Sequence, residues 1–310
     1  MRVGPRPVAS VAMTVVVTGA SGLIGRALVP LLAERDEVRA CVRDPRSSNP
    51  LQALGAKVTL GRLDEADALA EVCGGVFTMF HLVGGLQQPD DHAVFHANHG
   101  SVMVALQAAK AAGVKRFVLV SAAGADIGSS NAYLRAKGFA EEAVVNSGLE
   151  FAVVRCAHVY GLGGLWFASV VQGAASDPPF VPGSGRQELA PVLAEDLANI
   201  LLAIDDTREL ISGIYGLEGP DVLSADGLAT ALRGEDRVPE HAEGQGVLAR
   251  LTELLEVPVA PAAADLFERP SRVPVTPEVP SAASVFGVER TPLDQGVHRT
   301  LERAALSGSG

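Results

Sequence analysis

Positive charge is scarce in this chain of 310 residues: 25 Lys and Arg stand against 36 Asp and Glu, a formal net charge of −11. Such a balance gives no counterion-release drive toward phosphate backbones, and no cluster of Lys and Arg interleaved with aromatics offsets it, so no nucleic-acid partner is expected. Long apolar runs are missing too. None approaches the roughly 20 residues of a membrane helix. The apolar piece from Val8 to Val17 is broken by Ser10 and Thr14, so neither a membrane span nor a signal peptide is expected. Cysteine is rare: Cys41, Cys73 and Cys156 are odd in number, far apart, and each inside an apolar stretch. They read as buried free thiols of a cytoplasmic protein, without the spacing of a disulfide framework or a metal site. What the chain does have is 48% apolar residues against 20% charged, enough to bury a sizeable core and exclude global disorder.

Residues 1–12 carry two prolines and no usable periodicity, and 307–310 are polar SGSG; both are expected as tails. Between them the pattern alternates. TVVVT at 14–18 is apolar on both faces, as a central parallel strand is, and then breaks into glycine. Leu23 to Glu34 shows helical spacing, and Val38 to Val42 returns to strand character. Further strands are expected at 57–60, 76–83, 117–121 and 151–155, alternating with helices at 66–72, 94–112 and 133–147. This alternation predicts an α/β fold, a doubly wound parallel sheet over 13–160 covered by helices on both faces. Beyond Tyr160, glycine and proline concentrate in GLGG at 161–164, DPP at 177–179 and VPGSG at 181–185. Residues 161–306 read as a smaller, mostly helical C-terminal substrate lobe interleaved with the end of the core. Its helices are expected at 194–204, 224–232, 246–255 and 292–305, with a strand near 214–217 and a Pro-rich stretch from Arg237 to Pro280.

TGASGLIG, Thr18 to Gly25, follows a strand and opens a helix, the context a dinucleotide-binding loop needs. Gly19 allows the tight turn, Gly22 lets backbone amides approach a pyrophosphate, and Gly25 permits close helix packing. Ser21, Leu23 and Ile24 complete the cradle, and Val83 is a cofactor contact after the fourth strand. At the end of the second strand an acidic residue selects NAD, whereas Arg accommodates the 2′-phosphate of NADP. Val42 fills the slot expected for the carboxylate, Arg43 follows, and Arg26 adds a cation beside the loop, so NADP (NADPH) is favoured; Asp44 is the alternative ribose ligand. Tyr133 and Lys137 stand at i and i+4 on one helix face, in a chain with only three Tyr and four Lys. An ammonium near a phenol lowers its pKa, and the phenol can then give a proton to a carbonyl accepting hydride.

Further motifs join these: CVRDP at 41–45, FHLVGG at 80–85, Ala97-Asn98-His99-Gly100, AAGVKRFVLVSAAGA at 111–125, YLRAKGFAEE at 133–142 and VVRCAHVYG at 153–161. VPGSG is followed by AEDLA at 194–198 and FGVERTPLDQGV at 286–297. With them the chain resembles the atypical and extended branch of the short-chain dehydrogenase/reductase superfamily, which includes NmrA-like proteins and relatives of a complex I accessory subunit. The resemblance covers most of the chain and is specific for a Rossmann fold and a nicotinamide cofactor, not for a substrate. It implies that Tyr133 donates the proton, that Lys137 binds the nicotinamide ribose and perturbs Tyr133, and that a Ser at the end of the fifth strand orients the carbonyl. Ser121 is that candidate. In the extended pattern the hydroxyl can fall one residue later, where the chain has Ala122, and Ser121 then merely ends the strand. The adenine contact, within Gly-Asp-Leu in the family, meets Gly61-Arg62-Leu63 here, which leaves the Leu63 backbone or a stacked Arg62.

His81, His158, Trp166 and Phe167 fall near strand ends that face a ligand crevice. His158 is a candidate donor to substrate; Trp166 and Phe167 form a substrate wall or pack the small lobe. His92, His96 and His99 have the spacing of a metal face, but no carboxylate accompanies them and no metal is expected. The reading is an NADP-dependent oxidoreductase, a ketoreductase or dehydrogenase of a small, largely apolar molecule. Its alternatives are a non-catalytic NAD(P)-binding regulator or scaffold, and an epimerase or isomerase using bound cofactor.

Overall fold

Five consecutive residues that are apolar or β-branched leave a strand no solvated face, so Thr14–Thr18 can only be satisfied inside a sheet. In the computed structural model, which describes residues 13–42, 44–60, 65–233 and 238–307, they form β1 at the heart of a seven-stranded sheet. Its other strands are β2 (Glu37–Val42), β3 (Lys57–Leu60), β4 (Thr78–His81), β5 (Arg116–Ala122), β6 (Glu150–Cys156) and a seventh, Gly213–Leu217. The order is seventh, β6, β5, β4, β1, β2, β3, with every neighbouring pair parallel. The chain reverses its winding between β1 and β4, where Thr18 is register partner to both Cys41 and His81. In an open parallel sheet the crevice at such a reversal is where ligands bind.

Helices α1 (Leu23–Ala33), α2 (Ser48–Ala53) and α3 (Ala66–Val72) follow the first three strands. The helix expected over 94–112 is three pieces: α4 (Asp91–Phe95), a π turn at His96–Gly100, and α5 (Ser101–Ala112). The cause is two side chains inserted into the backbone ladder. Asn98 Nδ2 donates to the Val94 carbonyl at 2.8 Å and Ser101 Oγ to that of Ala97 at 2.7 Å. Next come α6 (Ala132–Val145), α7 (Leu165–Ala175) and α8 (Ala194–Asp206); the last packs against α1. Then follow α9 (Ala225–Arg233), α10 (Gln245–Leu255), α11 (Pro261–Glu268), α12 (Ala282–Phe286) and α13 (Leu293–Ser307). Helices α7, α11 and α12 were not among the expected ones, and α11 lies inside the Pro-rich stretch. For α11 the reason is position: Pro261 sits in the first turn, where a missing N–H costs nothing.

Strand alternation sorts the core. Val15, Val17, Val118 and Val120 face Leu28 and Leu32 of α1 and Ile200 of α8, whereas Val16, Met79, Phe117 and Leu119 face Leu69, Leu106 and Val144. A leucine as fully enclosed as Leu28 contributes about 1.5–3 kcal/mol. A third apolar cluster gathers Trp166, Phe180, Leu228, Leu251 and Phe267 and reaches to Tyr133 and Leu134. Among the described residues no helix is long and apolar enough to cross a membrane.

Candidate functional site

The turn after β1 is built for close approach. Gly19 has φ +76°, and a Cβ there would lie 2.6 Å from the Leu82 backbone. Gly25 is equally tight, since its Cβ would meet the Ala20 carbonyl oxygen at 2.4 Å. Gly22 donates its N–H to Gly19 O at 3.0 Å and precedes α1 with no side-chain cap and no acid in the first turn. The amides of Leu23, Ile24 and Gly25 thus start a helix with no intrahelical acceptor and no competing carboxylate, beside an exposed Ser21. These features fit a diphosphate: open amides, a positive helix end, and glycines where a Cβ would obstruct.

The second wall follows β4. Leu82 N still bonds Thr18 O at 2.9 Å, then the chain runs through Val83 into Gly84 and Gly85, at φ +136° and +138°. Asn98, fully buried in the π turn, holds this loop twice: Gly85 N donates to Asn98 Oδ1 at 3.0 Å, and Asn98 Nδ2 donates to Gly85 O at 2.9 Å. A Cβ on Gly84 would lie 2.4 Å from Asn98 Oδ1 and 3.5 Å from Lys137 Nζ. Asn98 stood in a quoted motif, but neither its clamping role nor the π turn was read from the sequence, because the clamp needs a partner 13 residues away in a glycine-only conformation.

The third wall is the start of α6. Asn131 caps it, its Oδ1 accepting from Tyr133 N at 2.9 Å and Leu134 N at 3.1 Å, while its Nδ2 reaches Ala262 O at 2.9 Å and Asp265 Oδ2 at 2.6 Å. The cap also moors the helix to α11. An Asn two residues before a helical Tyr was the available signal. Tyr133 and Lys137 share one face as expected, with Lys137 Nζ 5.7 Å from the Tyr133 ring centroid. The electrostatics differ from expectation. Burial pushes the Tyr133 phenol up rather than down, with Cys156 adding in the same direction. Burial also lowers Lys137 to about 8 against the pull of Glu141 and Cys156. The ammonium is only 5% exposed and donates to Val120 O at 3.0 Å, so it is committed to the strand end rather than to the phenol.

The structure disperses the remaining candidates. Ser121 is buried with its hydroxyl enclosed and without a hydrogen-bond partner, and strand alternation puts it on the face of Phe117 and Leu119. His81 is buried between Thr18 and Ser101 and does not face the crevice. His158 stacks on Trp166 at 4.6 Å and meets Phe267 edge-on at 5.9 Å, with Nε2 enclosed and unpartnered; burial lowers its imidazole to about 3. Trp166 lines a cavity of about 20 Å³ with Phe180, Gln187, Leu189 and Phe267, and Phe167 packs on Tyr160 at 5.6 Å. Arg26 does not stand free beside the glycine loop: it donates to Ser21 O and Leu162 O, both at 3.0 Å, and lines an open groove of about 570 Å³ with Leu23, Glu195 and Arg303. Asp44 accepts from Arg46 N and its guanidinium, whose hydrogen bonds hold the carboxyl below its usual range. Arg43 and Leu63 lie outside the described residues. Among the described residues no cluster of His, Cys, Asp or Glu could hold a metal, and His99 packs on Phe95 and Phe139. The three cysteines are free and buried.

Comparison with known proteins matches residues 19–163 to the NAD(P)H-binding family model. The chain is 30% identical over 228 residues to the mitochondrial NADH dehydrogenase [ubiquinone] 1 alpha subcomplex subunit 9 of Arabidopsis thaliana, covering 69% of this chain and 55% of that protein. It is 30% identical over 197 residues to a ceramide reductase of Caulobacter vibrioides, covering 63% of this chain and 62% of the relative. An uncharacterized sugar epimerase of Bacillus subtilis is 31% identical over 154 residues, 46% of this chain and 71% of the relative. The match thus spans less than two thirds of the first two relatives. Among solved structures, MoeE5 in complex with UDP-glucose and NAD superposes with a TM-score of 0.72 over 95% of this chain and 99% of that one, at 20% identity. The glycine loop, the sheet order and these matches agree: the chain belongs to the atypical, extended branch of the short-chain dehydrogenase/reductase superfamily, the NAD(P)-binding Rossmann proteins.

Proposed function

We propose that the protein is an NADP-dependent reductase that converts a carbonyl of a small, largely apolar molecule to an alcohol, or the reverse. The observation that carries this reading is Tyr133 and Lys137 on one face of α6, with the buried ammonium directed at the Gly84 turn. Gly19, Ser21, Gly22, Leu23, Ile24 and Gly25 would hold the diphosphate, Val83 the loop beside it, and Lys137 the ribose hydroxyls through the N–H groups not spent on Val120 O. When bound, the nicotinamide supplies or accepts the hydride. Tyr133, kept neutral by burial, is suited to donating its phenolic proton to the carbonyl oxygen. His158, Trp166 and Phe167 pack against Phe267 and Tyr160 around a cavity of only about 20 Å³, so they would back the substrate region with an apolar layer and would not line it themselves.

NADP over NAD is favoured because Val42 offers no carboxylate, Arg43 follows it, and Asp44 is spent on Arg46. The free, buried cysteines suit the cytoplasm. Ser121 takes no part in the proposal, since its hydroxyl is sealed. That same feature, with Ala122 and Ala123 following, supports a second reading, a non-catalytic dinucleotide-binding scaffold.

The test is calorimetric titration with NADPH and NADH, then a carbonyl-substrate screen. Tighter NADPH binding, weakened by about 1–3 kcal/mol in Arg43→Ala, with turnover abolished in Tyr133→Phe while nucleotide still binds, is expected. Binding without turnover on any carbonyl would favour the scaffold; no binding of either nucleotide would sink both.

A further inference from the structure

His81 is the one histidine of FHLVGG, fully enclosed at the C-terminal end of β4, and its two ring nitrogens join elements far apart in sequence. Nδ1 lies 2.9 Å from Thr18 Oγ1, the last residue of β1 before the Gly19 turn, and Nε2 lies 3.2 Å from Ser101 Oγ, the first residue of α5 after the π turn. The hydrogens on this chain can be assigned. Ser101 Oγ spends its single proton on Ala97 O at 2.7 Å, so toward His81 it can only accept, and Nε2 must carry the hydrogen. Burial and the nearby Lys137 charge keep the imidazole neutral, which leaves Nδ1 bare, and Thr18 Oγ1 gives its single proton to it at 2.9 Å in preference to Phe80 O at 3.4 Å.

Nothing in packing requires a polar ring here. The ring stacks on Phe117 at 5.9 Å, and an aromatic hydrocarbon would keep that contact without burying two polar atoms. What only an imidazole supplies is a rigid spacer with an acceptor on one edge and a donor on the other. One end fixes Thr18, whose neighbour Gly19 opens the diphosphate turn. The other fixes the π turn, whose Asn98 holds Gly85.

We propose that His81, as the neutral Nε2–H tautomer, is a positioning residue that locks the glycine turn and the Asn98-clamped Gly84–Gly85 loop into one frame, so that the two walls of the nucleotide site keep a fixed separation. The inference rests on the cofactor reading above. It assigns His81 no contact with the cofactor and no proton transfer.

Three measurements test it. Nitrogen-15 spectra of the wild-type imidazole are expected to show a protonated Nε2 and a bare Nδ1; the opposite tautomer would overturn the hydrogen-bond assignment. His81→Phe is expected to weaken NADPH binding at least tenfold, measured by calorimetry well below its melting temperature. Thr18→Val severs one end of the link and Ser101→Ala the other, and each is expected to weaken NADPH binding severalfold even where the Phe variant fails to fold. A merely structural role would lower the melting temperature of these variants and leave nucleotide affinity within twofold of wild type, which would overturn the proposal. Absence of NADPH and NADH binding by the wild type would overturn the cofactor reading and the positioning role together, and an intact tautomer signature distinguishes that outcome from a wrong assignment.

Discussion

Lys137 Nζ donates to the Val120 carbonyl at 3.0 Å across the end of β5. The bond spans 17 residues and leaves two of the three ammonium N–H groups for the Gly84 side, where a ligand hydroxyl could take them. An ammonium held inside the protein by one neutral acceptor is costly, and its lowered pKa expresses that cost.

Replacing this lysine should therefore separate stability from function. Lys137→Met keeps the length of the side chain and removes the buried charge. The lowering from 10.5 to about 8 corresponds to about 3 kcal/mol at 1.36 kcal/mol per unit, so urea denaturation at pH 7 should show a gain of up to that size. Nucleotide binding should fall at least tenfold. A variant both less stable and unchanged in binding would contradict the assignment of Lys137 to the ribose.

The same group sets a pH dependence. Between about 8 and 10.5 the folded protein has released the Lys137 proton and the unfolded chain still holds it. The unfolded state then binds more protons, so raising pH through this window favours the folded state. Wild-type stability should gain from this group relative to Lys137→Met as pH rises from 8 to 10, measured by denaturant midpoints in parallel. NADPH affinity should fall over the same interval as the ammonium is lost, and the Met variant should lack that dependence.

Gly84→Ala tests the loop. Its φ of +136° is a conformation only glycine adopts readily, and the new Cβ would lie 2.4 Å from Asn98 Oδ1, which is held by Gly85. Destabilisation of about 2–4 kcal/mol is expected, with nucleotide binding lost. Gly113→Ala, at φ +73° but with open space around its Cβ, serves as control: it should cost about 1 kcal/mol and leave binding intact.

The sheet and the glycine loop were legible because each is a local pattern: β-branched TVVVT, then Gly19, Gly22 and Gly25 at a strand-to-helix turn. Tyr133 and Lys137 were legible as a pair for the same reason, since i and i+4 on a helix share a face by geometry. What the pair does to its own pKa values was not, because it depends on burial and on Cys156, brought in from another strand, with Glu141 acting on the lysine. Ser121 could have been read better. Phe117, Leu119 and Ser121 alternate on one strand face, and that parity already pointed its hydroxyl into the helical layer. The roles of Asn98 and His81 could not be read, although His81 was noted near a strand end, as each joins segments 13 to 63 residues apart. The interruptions hidden in the helix over 94–112 were similarly opaque, because a π turn depends on which carbonyls Asn98 and Ser101 capture.

Asn131 offers the sharpest division between local and tertiary causes. Its Oδ1 caps α6 and its Nδ2 holds α11 through Ala262 O and Asp265 Oδ2. Asn131→Ala removes both functions and should cost about 2–3 kcal/mol, more than the roughly 1 kcal/mol of an isolated N-cap. Asn131→Asp separates them. A carboxylate caps a helix as well as an amide does and is favoured by the positive end of the helix, so the start of α6 keeps its two hydrogen bonds. Yet the same substitution removes both N–H donors and sets an anion against Asp265 Oδ2, where 2.6 Å now separates donor from acceptor. If capping alone positions Tyr133, the Asp variant should match wild type in stability and turnover. The two contacts to α11 argue otherwise: stability should drop by about 1–3 kcal/mol, and KM for substrate should rise while NADPH affinity, which depends on elements away from α11, stays within twofold.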